Sequence, residues 1–352
     1  MEKKQNETQN EKLLSVIVPM CNAEKYINKC LDSLLVPKDI MAELEVLVID
    51  DGSKDQGAAY AQAYQRKYPD SFLVIRKQNG GHGSAIDEGI THCSGKYFKV
   101  LDADDWVHTI ALVQILHKLK GIEAQVIACG YDRYHILSGK TTQIRPYHKT
   151  ADRAHVVCRL SMQRLIREWN RYSRLFCLHG LIYHTEFYRT LAYRLPRKVY
   201  YDDAFFFTVP CSHADRMVII DTQLYVYRTG DVKQSVSARN REAGLGQLGM
   251  VIDAVIQTKG RNAAKSEAGR EYWYRKLVSV AADYYVTAYL RCRDREAGRR
   301  AAKVLAQKIY EADRKLYRRL FIRRLLLYGM SLRHKHAEDF ERLINLMDVL
   351  RR

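Results

Sequence analysis

A regular alternation of short strands and helices over the first hundred residues constrains the fold of this chain most. β-Branched, apolar runs bounded by polar residues predict five strands, at 14–19, 44–50, 72–76, 97–102 and 125–131. Apolar residues at helical spacing lie between these runs, as in the segment 27–35. Strands that alternate with helices pair through right-handed crossovers in a parallel sheet. The pattern therefore predicts an α/β fold, with a mostly parallel sheet flanked by helices.

The remainder of the chain predicts a helical extension. A length of 352 residues suggests about two domains. Beyond a stretch rich in Gly and Arg near 238–247, apolar residues recur at helical spacing. We expect a disordered tail over 1–12, an α/β domain over 13–237 and a basic helical region over 238–352. The polar start of the chain does not resemble a signal peptide.

Charge and composition exclude several classes of protein. Lys and Arg number 58 against 40 Asp and Glu, a formal charge of +18, so we expect an anionic partner such as nucleic acid, a phosphate-bearing substrate or an acidic membrane surface. No apolar run is long enough for a membrane-spanning helix. The eight cysteines lack paired spacing, which predicts reduced thiols in a cytoplasmic protein and argues against zinc.

Acidic and glycine residues follow the predicted strands where each ends. Pro19 and Asn22 follow the first strand, Asp50–Ser53 the second, Asn79–Gly81 the third and Asp102–Asp105 the fourth. In an open parallel sheet, ligands bind beyond the carboxyl ends of the strands. The sequence therefore predicts one ligand site at this edge.

Three aspartates within four residues predict a metal site. Asp102, Asp104 and Asp105 repel one another unless a cation is present. Mg²⁺ and Mn²⁺ prefer carboxylate oxygens and often share their coordination with substrate phosphates. We expect one of these two ions here.

Five segments, in this order, resemble the signature of family 2 glycosyltransferases with the GT-A fold. They are Ser15–Asn22, Val48–Ser53, Asn79–Ser84, Asp87–Gly89 and Leu101–Trp106. The resemblance covers residues 13–110 and continues more weakly to 237. It implies a nucleotide-sugar-binding sandwich over 13–237 and inverting transfer of a sugar, with a UDP-sugar as the expected donor. The acceptor it implies is a saccharide or a lipid-linked saccharide, in the synthesis of a surface polysaccharide or glycolipid.

The resemblance also implies roles for single residues. Asp102 and Asp104 match the family's Asp-x-Asp motif, and Asp104 and Asp105 are the expected metal or ribose contacts. Either Asp50 or Asp51 accepts a hydrogen bond from the base. The implied donor-binding set is Pro19, Asn22, Asp50, Asp51, Ser53, Asn79, Gly80, Gly81, Asp102 and Arg228.

An inverting transfer needs a base to remove the proton of the acceptor hydroxyl. The family places it in an acidic pair followed by aromatic residues, which Tyr200–Phe207 resembles. Asp203 is the expected base and Asp202 the alternative. Arg228, together with the segment 234–237, is expected near the donor phosphates. His82 replaces a residue that is more often apolar, and the resemblance gives it no role.

Structural alternatives stand beside these assignments. Asp50 and Asp51 can simply cap a helix that opens at Ser53, where Gln56 completes the spacing of a capping box. Asp105 can cap the helix after Trp106. Asp202 and Asp203 can be an acidic pair that stabilises a helix N-terminus. Arg228 can form an ordinary ion pair at the surface.

The basic C-terminal region has two interpretations. Residues 291–324 carry 13 Lys and Arg against 4 Asp and Glu. One helical face predicted there is apolar, formed by Tyr317, Leu320, Phe321, Leu325 and Tyr328. The basic side chains around it are Arg318, Arg319, Arg323 and Arg324. This composition is typical of a helix that binds an anionic membrane surface from the cytoplasmic side, and the alternative is a solvated bundle.

Two other functions compete with sugar transfer. A nucleic-acid-binding protein fits the charge of +18, but the aspartates at the strand ends repel phosphates and no nucleic-acid-binding motif is present. Another metal-dependent phosphoryl-transfer enzyme predicts an early nucleophilic Asp, where this chain has Pro19–Asn22.

Overall fold

The computed structural model describes residues 12–146, 157–231, 238–261 and 264–350. Its described residues divide into two compact units. The first unit runs to Lys198 and also contains Ala214–Thr229, and the second contains Val199–His213 and the chain from Gly230 onward.

The first unit contains all ten strands that are found in the described residues. They are β1 (Leu14–Met20), β2 (Leu44–Asp50), β3 (Phe72–Arg76), β4 (Tyr97–Val100), β5 (Trp106–Val107), β6 (Val126–His135), β7 (Thr141–Ile144), β8 (Val157–Leu160), β9 (Leu181–His184) and β10 (Met217–Thr229). Its helices are α1 (Ile27–Asp32), α2 (Lys38–Met41), α3 (Gly57–Lys67), α4 (His82–His92), α5 (Thr109–Leu119), α6 (Met162–Arg167), α7 (Trp169–Tyr172) and α8 (Thr185–Thr190).

The strands form one sheet in the order β3-β2-β1-β4-β9-β6-β10-β5, with β7 on β6 and β8 on β10. The strands β3, β2, β1 and β4 are parallel, as are β6 and β10, whereas β9 is antiparallel to both neighbours. This confirms the predicted mostly parallel sheet flanked by helices.

Burial on both faces explains why the first strands are so apolar. Every residue of β1 is buried, as is nearly every residue of β2, because helices cover both faces of a parallel sheet. The register pairs Leu14 with Leu44 and Met20 with Asp50. The carboxyl ends of β1 and β2 therefore lie side by side, which places Pro19, Asn22 and Asp50 at one edge.

Two local predictions were wrong. Helix α3 begins at Gly57 with Gln56 at its N-cap, so Ser53 does not open it. The Ser53 hydroxyl instead accepts a hydrogen bond from the Asn22 amide at 3.0 Å, because the loops after β1 and β2 adjoin. Asp105 does not cap the next helix either: α5 begins at Thr109, after the short strand β5.

The second unit is helical. Its elements are α9 (Asp203–Ser212), α10 (Ala238–Ala243), α11 (Leu245–Arg261), α12 (Glu267–Val286), a π-helical turn (Thr287–Arg291), α13 (Arg295–Ala312), α14 (Arg314–Leu332) and α15 (Ala337–Leu350). Helix α9 packs against α11 and α12, and the Tyr272 hydroxyl donates to the Phe207 carbonyl at 2.9 Å. Asp313 caps α14, accepting from the Leu316 amide at 3.0 Å. Within the described ranges, no helix has the length and apolar character needed to cross a bilayer.

These units differ from the predicted division at 237. Residues 199–213 pack with the C-terminal helices, although the sequence groups them with the α/β domain. The tail 1–11 and the segment 232–237, which contains the predicted phosphate-side stretch 234–237, lie outside the described residues. A catalytic region over 13–237 stays a prediction.

Candidate functional site

Asp51 organises the glycine loop between β3 and α4. Its carboxylate is buried and accepts three hydrogen bonds, from Lys77 Nζ at 2.8 Å, the Gly80 amide at 2.9 Å and the Gly81 amide at 2.8 Å. The Asn79 side chain donates to the Asp51 carbonyl at 2.9 Å. Asp51 thus fixes Asn79, Gly80 and Gly81 against the end of β2.

At Gly81 both the backbone conformation and the surrounding space require glycine. Its φ is +88°, and a Cβ there would lie 2.7 Å from the Lys198 nitrogen. The Lys198 amide itself donates to the Gly80 carbonyl at 3.1 Å. The loop is therefore held between Asp51 and Lys198, and a side chain at position 81 would force it away from Lys198.

Asp50 and Asn22 brace the neighbouring loops. Asp50 is fully buried and accepts from the Ser53 amide at 2.9 Å and from Arg76 Nε at 2.8 Å. Asn22, whose φ is +53°, accepts from the Lys54 amide at 2.8 Å through its side-chain oxygen. The structure thus brings the predicted residues of the first two strand ends into one hydrogen-bonded group. Their contacts to a nucleotide stay a prediction.

Asp102 pairs with His82 at the start of α4. Their side chains lie 2.9 Å apart, between Oδ1 and Nε2. Burial alone raises the pKa of Asp102, but the hydrogen bond from His82 and the charges of His82, His179 and Lys99 lower it overall. Asp102 is therefore held as a carboxylate, and the loop after β3 is tied to the loop after β4.

Asp105 faces the protein instead. Its two oxygens accept from the Tyr225 hydroxyl at 2.5 Å and from the Arg228 amide at 2.7 Å. Burial, followed by the charges of Asp104 and Asp102, holds the pKa of Asp105 well above its usual value. Asp105 thus joins the loop after β4 to β10, and its role as a metal ligand stays a prediction.

A possible cation site includes a residue that the sequence did not reveal. Among the described residues, Asp102, Asp105 and His179 present ligand atoms within 4.8 Å of one another, whereas Asp104 lies beside Arg228 at 3.7 Å. Burial lowers the pKa of His179 to about 4, so its ring is neutral near pH 7 and keeps a lone pair for a metal. The Asp102 carboxylate, the Asp105 carboxyl group and a neutral imidazole offer ligand atoms that suit a divalent cation, whose charge would favour the ionised form of Asp105.

Lys99 positions His179. Its buried Nζ donates to the carbonyls of His179 at 2.7 Å and Leu181 at 3.3 Å, and burial lowers its pKa to about 8. The His179 ring stacks on Tyr227 at 4.1 Å between centroids. The presence of a lysine within the buried strand Tyr97–Val100 is the sequence feature that could have indicated a polar site here.

A cavity of about 250 Å³ adjoins the aspartates. Asp104 and Asp105 line it together with Lys29, Trp106 and Arg228. The Lys29 ammonium lies 3.1 Å from the Trp106 ring centroid, and burial and the Arg228 charge lower its pKa. Two cations next to acidic side chains suit an anionic group that is bridged to the acids by a metal.

The predicted base belongs to the second unit. Asp203 is the first residue of α9, and Asp202 precedes it and is buried. An acid in the first turn of a helix interacts favourably with the helix dipole. The position of Asp203 therefore fits the alternative that the acidic pair stabilises the start of a helix. Burial raises the pKa of the neighbouring Tyr201, and the charge of Asp203 contributes to that rise. Its role as base stays a prediction.

Helix α14 differs from the predicted amphipathic helix at four positions, because Leu320 is buried, Tyr317 and Arg324 are half-buried, and Arg319 is paired. Leu320 is buried in the second unit and not on the outer face, because it follows Leu316 at helical spacing and packs inward with it. Phe321, Leu325 and Tyr328 are exposed as predicted. Arg319 is paired with Glu271 at 2.6 Å, so it is less available to a membrane than Arg318 and Arg323.

Comparison with known proteins identifies the family. The model of glycosyl transferase family 2 matches residues 15–191. The uncharacterized glycosyltransferase EpsJ of Bacillus subtilis is 25% identical over 217 residues, which are 61% of each chain. The minor teichoic acid biosynthesis protein GgaB of Bacillus subtilis is 32% identical over 93 residues, which are 26% of this chain and 10% of GgaB. The chain thus spans less than two thirds of the length of these relatives.

Solved structures support the fold. The crystal structure of S. aureus TarS 1-349 superposes with a TM-score of 0.62 at 17% identity, covering 94% of this chain and 91% of TarS 1-349. The same protein in complex with UDP-GlcNAc gives a TM-score of 0.53, covering 86% of this chain and 92% of that one. Together with the five sequence motifs, the match of the family model over half the chain shows that the chain belongs to glycosyl transferase family 2 and carries a glycosyltransferase domain of that family.

Proposed function

We propose that this protein transfers a sugar, with inversion, from a nucleotide diphosphate donor to a hydroxyl of a saccharide or lipid-linked acceptor. One observation carries the proposal: the Asp51-held glycine loop and the Asp102–His82 pair lie at the same edge of the sheet, joined through the start of α4. A backbone loop without side chains beside a carboxylate held ionised suits a diphosphate and its counter-ion. A UDP-sugar is the proposed donor, supported by the complex of TarS with UDP-GlcNAc.

Recognition of the donor involves four groups of residues in this proposal. Asp50 or Asp51, with Pro19, Asn22 and Ser53, holds the nucleoside. The loop of Asn79, Gly80 and Gly81 lets the donor approach the backbone, because the two glycines lack side chains. Asp102, with Asp105 and His179, would hold a Mn²⁺ or Mg²⁺ ion, and Asp104 is a further ligand in this proposal. A bound ion supplies neutralisation of charge on the diphosphate. Arg228 and Lys29 add positive charge beside Asp104.

The reaction forms one bond and breaks another. The acceptor oxygen attacks the anomeric carbon, its proton passes to the carboxylate of Asp203, and the bond from that carbon to the diphosphate breaks. The nucleoside diphosphate leaves with the bonding electrons, and the configuration at the carbon inverts. Asp202 takes the place of Asp203 if the register of the motif is shifted by one.

The pathway and location are part of the same proposal. We infer a role in surface polysaccharide or glycolipid synthesis, supported by similarity to GgaB, a protein of minor teichoic acid biosynthesis. A lipid-linked acceptor keeps its sugar close to a bilayer, and α14 exposes Phe321 and Leu325 beside Arg318 and Arg323. The protein would then act in the cytoplasm, at the inner face of the membrane.

Calorimetric titration of nucleotides tests this function. UDP should bind more tightly with Mn²⁺ or Mg²⁺ than in a chelator, because the ion couples the diphosphate to Asp102. Asp102→Asn should remove that coupling and leave the chelator affinity nearly unchanged. Equal UDP affinity with and without metal would contradict a metal-bridged diphosphate. Salt-sensitive binding to DNA, with no binding of any nucleotide or nucleotide sugar, would favour the nucleic-acid alternative instead.

A further inference from the structure

A second cavity, of about 400 Å³, lies within the helical unit and is not part of the donor site. Helices α13 and α14 and the π-helical turn Thr287–Arg291 supply its walls. The cavity combines basic side chains at one side with apolar ones at the other. We call it the basic cavity and define it by Arg299, Lys303, Arg324, Phe321, Leu325 and Tyr328.

The charge of the basic cavity is not balanced by its own lining. Glu296 is the one acid among its lining residues, and it is paired with Arg300 at 2.5 Å. Arg299, Lys303 and Arg324 form no salt bridge within the part of the chain that the structure describes. Three cations around one concave surface repel one another, so the free energy of the cavity falls when an anion enters.

The guanidinium of Arg324 is the most unusual group in the cavity. Its Nε and Nη1 atoms are buried and have no hydrogen-bond partner among the described residues. A buried donor without an acceptor is unfavourable, and more so when it is charged. The Arg324 Cζ atom lies 4.7 Å from the centroid of the Tyr317 ring and 5.6 Å from that of the Tyr285 ring. Arg324 is therefore a partly desolvated cation, and its charge adds to that of Arg299 and Lys303 at the cavity.

The apolar side chains that line the basic cavity indicate a ligand that has an apolar part. Phe321 is 49% exposed and Leu325 is 60% exposed, although both line the cavity beside the cations. Inorganic anions gain nothing from these side chains, whereas an alkyl chain attached to the anion buries apolar surface on them. The tetrahedral oxygens of a phosphate match several separate cations, as arginine and lysine sites for phosphate do.

We propose that the basic cavity binds a phosphate group attached to an apolar chain. Arg324 and Arg299 hold the phosphate, Lys303 adds charge, and Phe321 and Leu325 contact the chain. The ligand has two possible sources, a lipid headgroup in a bilayer or a soluble phosphate ester. The proposal does not rest on the transferase reaction, because every residue of the basic cavity belongs to the second unit.

Calorimetry on the full chain, with orthophosphate and hexyl phosphate as probes, tests the site. Arg324→Gln and Arg299→Gln should each weaken hexyl phosphate binding by roughly tenfold, the loss of about 1.4 kcal/mol of binding free energy. Arg318→Gln is the matched control, because Arg318 is an exposed arginine of the same helix that does not line the cavity. Binding by Arg318→Gln should stay within about twofold of the unchanged protein, as expected for a screened surface charge.

Vesicles distinguish the two sources. If the ligand is a lipid headgroup, phosphatidic acid vesicles should compete with hexyl phosphate, and phosphatidylcholine vesicles should not. A soluble ester is supported when hexyl phosphate binds at the cavity and neither vesicle competes. No saturable binding of hexyl phosphate, or an equal loss in Arg318→Gln, overturns the site.

Two further measurements control for misfolding of the variants and for effects on the donor site. Thermal unfolding shows whether Arg324→Gln still folds, and if it does not, Arg299→Gln alone decides. UDP affinity should be unchanged in every cavity variant. A protein that binds hexyl phosphate through Arg324 and Arg299 but binds no nucleotide contradicts the proposed transferase function and supports the cavity.

Discussion

The Oδ1 atom of Asp102 lies 2.9 Å from the Nε2 atom of His82, although the two residues follow different strands. This contact joins the acidic cluster to His82, the first residue of α4. The amides of the two residues before it, Gly80 and Gly81, donate hydrogen bonds to Asp51. His82 is therefore a positioning residue for Asp102, a role that neither the family resemblance nor the sequence pattern supplied.

His82→Ala should weaken the binding of UDP in Mn²⁺ by about fivefold, since a hydrogen bond to a charged group contributes about 1 kcal/mol or more. His82→Gln keeps an N–H donor and should restore most of that affinity. The measurement is UDP calorimetry with and without the metal. His92→Ala, at the other end of the same helix, is the control and should change nothing. Loss of affinity in chelator as well as in metal would mean that His82 supports the whole loop and not Asp102.

Gly81→Ala should destabilise the protein by about 2 kcal/mol or more, because a side chain is strained at this positive φ and its Cβ meets the Lys198 nitrogen. Gly139→Ala is the matched control: its φ is +64°, yet nothing lies within 4 Å of the added Cβ. Its cost should be only the conformational one, about 1 kcal/mol. Urea unfolding of both variants measures the difference. Equal midpoints for the two variants would show that the loop yields to the clash.

Asp203→Asn should lower turnover by roughly 10²-fold or more, the typical contribution of a general base. The substitution keeps the shape of the side chain and removes its basic oxygen, so UDP affinity should be unchanged. Initial rates at saturating donor, with calorimetry alongside, give the two quantities. Normal turnover in Asp203→Asn with loss in Asp202→Asn assigns the base to Asp202. Full activity in both variants makes the pair structural.

Attachment to anionic liposomes should depend on the exposed arginines of α14. Replacing Arg318 and Arg323 with Glu should abolish sedimentation at low salt, because each basic residue near an anionic surface contributes on the order of 1 kcal/mol. Rising ionic strength should release the unchanged protein in the same way. Lys54→Glu, an exposed charge reversal in the first unit, is the control. Undiminished binding to neutral liposomes would assign attachment to Phe321 and Leu325 instead.

The sequence predicted the elements that repeat a simple pattern. The runs in β1 and β2 are apolar enough to define buried strands, β3 is an apolar run at the edge of the sheet, and their order places the acidic residues at one edge. The short strands β5, β7, β8 and β9 were missed because two to four residues cannot establish an alternation. Three of these strands pair with partners far along the chain, β5 and β8 with β10 and β9 with β4 and β6.

Side-chain direction within the acidic cluster was beyond the sequence. The sequence motif does not distinguish Asp104 from Asp105. In the structure, Asp105 accepts a hydrogen bond from Tyr225, which lies on β10, far along the chain. His179 reaches Asp102 only through the fold, and Lys99 holds the backbone there. Contacts of this kind depend on tertiary packing and leave no local periodicity to read.

The order of the chain through the two units has a consequence for how relatives of this protein can diverge. Ala214–Thr229 returns to the first unit and contributes β10, which pairs with β5, β6 and β8. After a recombination breakpoint before Ala214, the incoming segment would have to supply a strand that pairs with all three, because unpaired strand edges favour aggregation. A breakpoint after Thr229 keeps the sheet whole, but the incoming segment must then repack against α9, since α9 contacts α11 and α12. An exchanged C-terminal region is therefore tolerated only if it packs against α9, the helix that begins with Asp203.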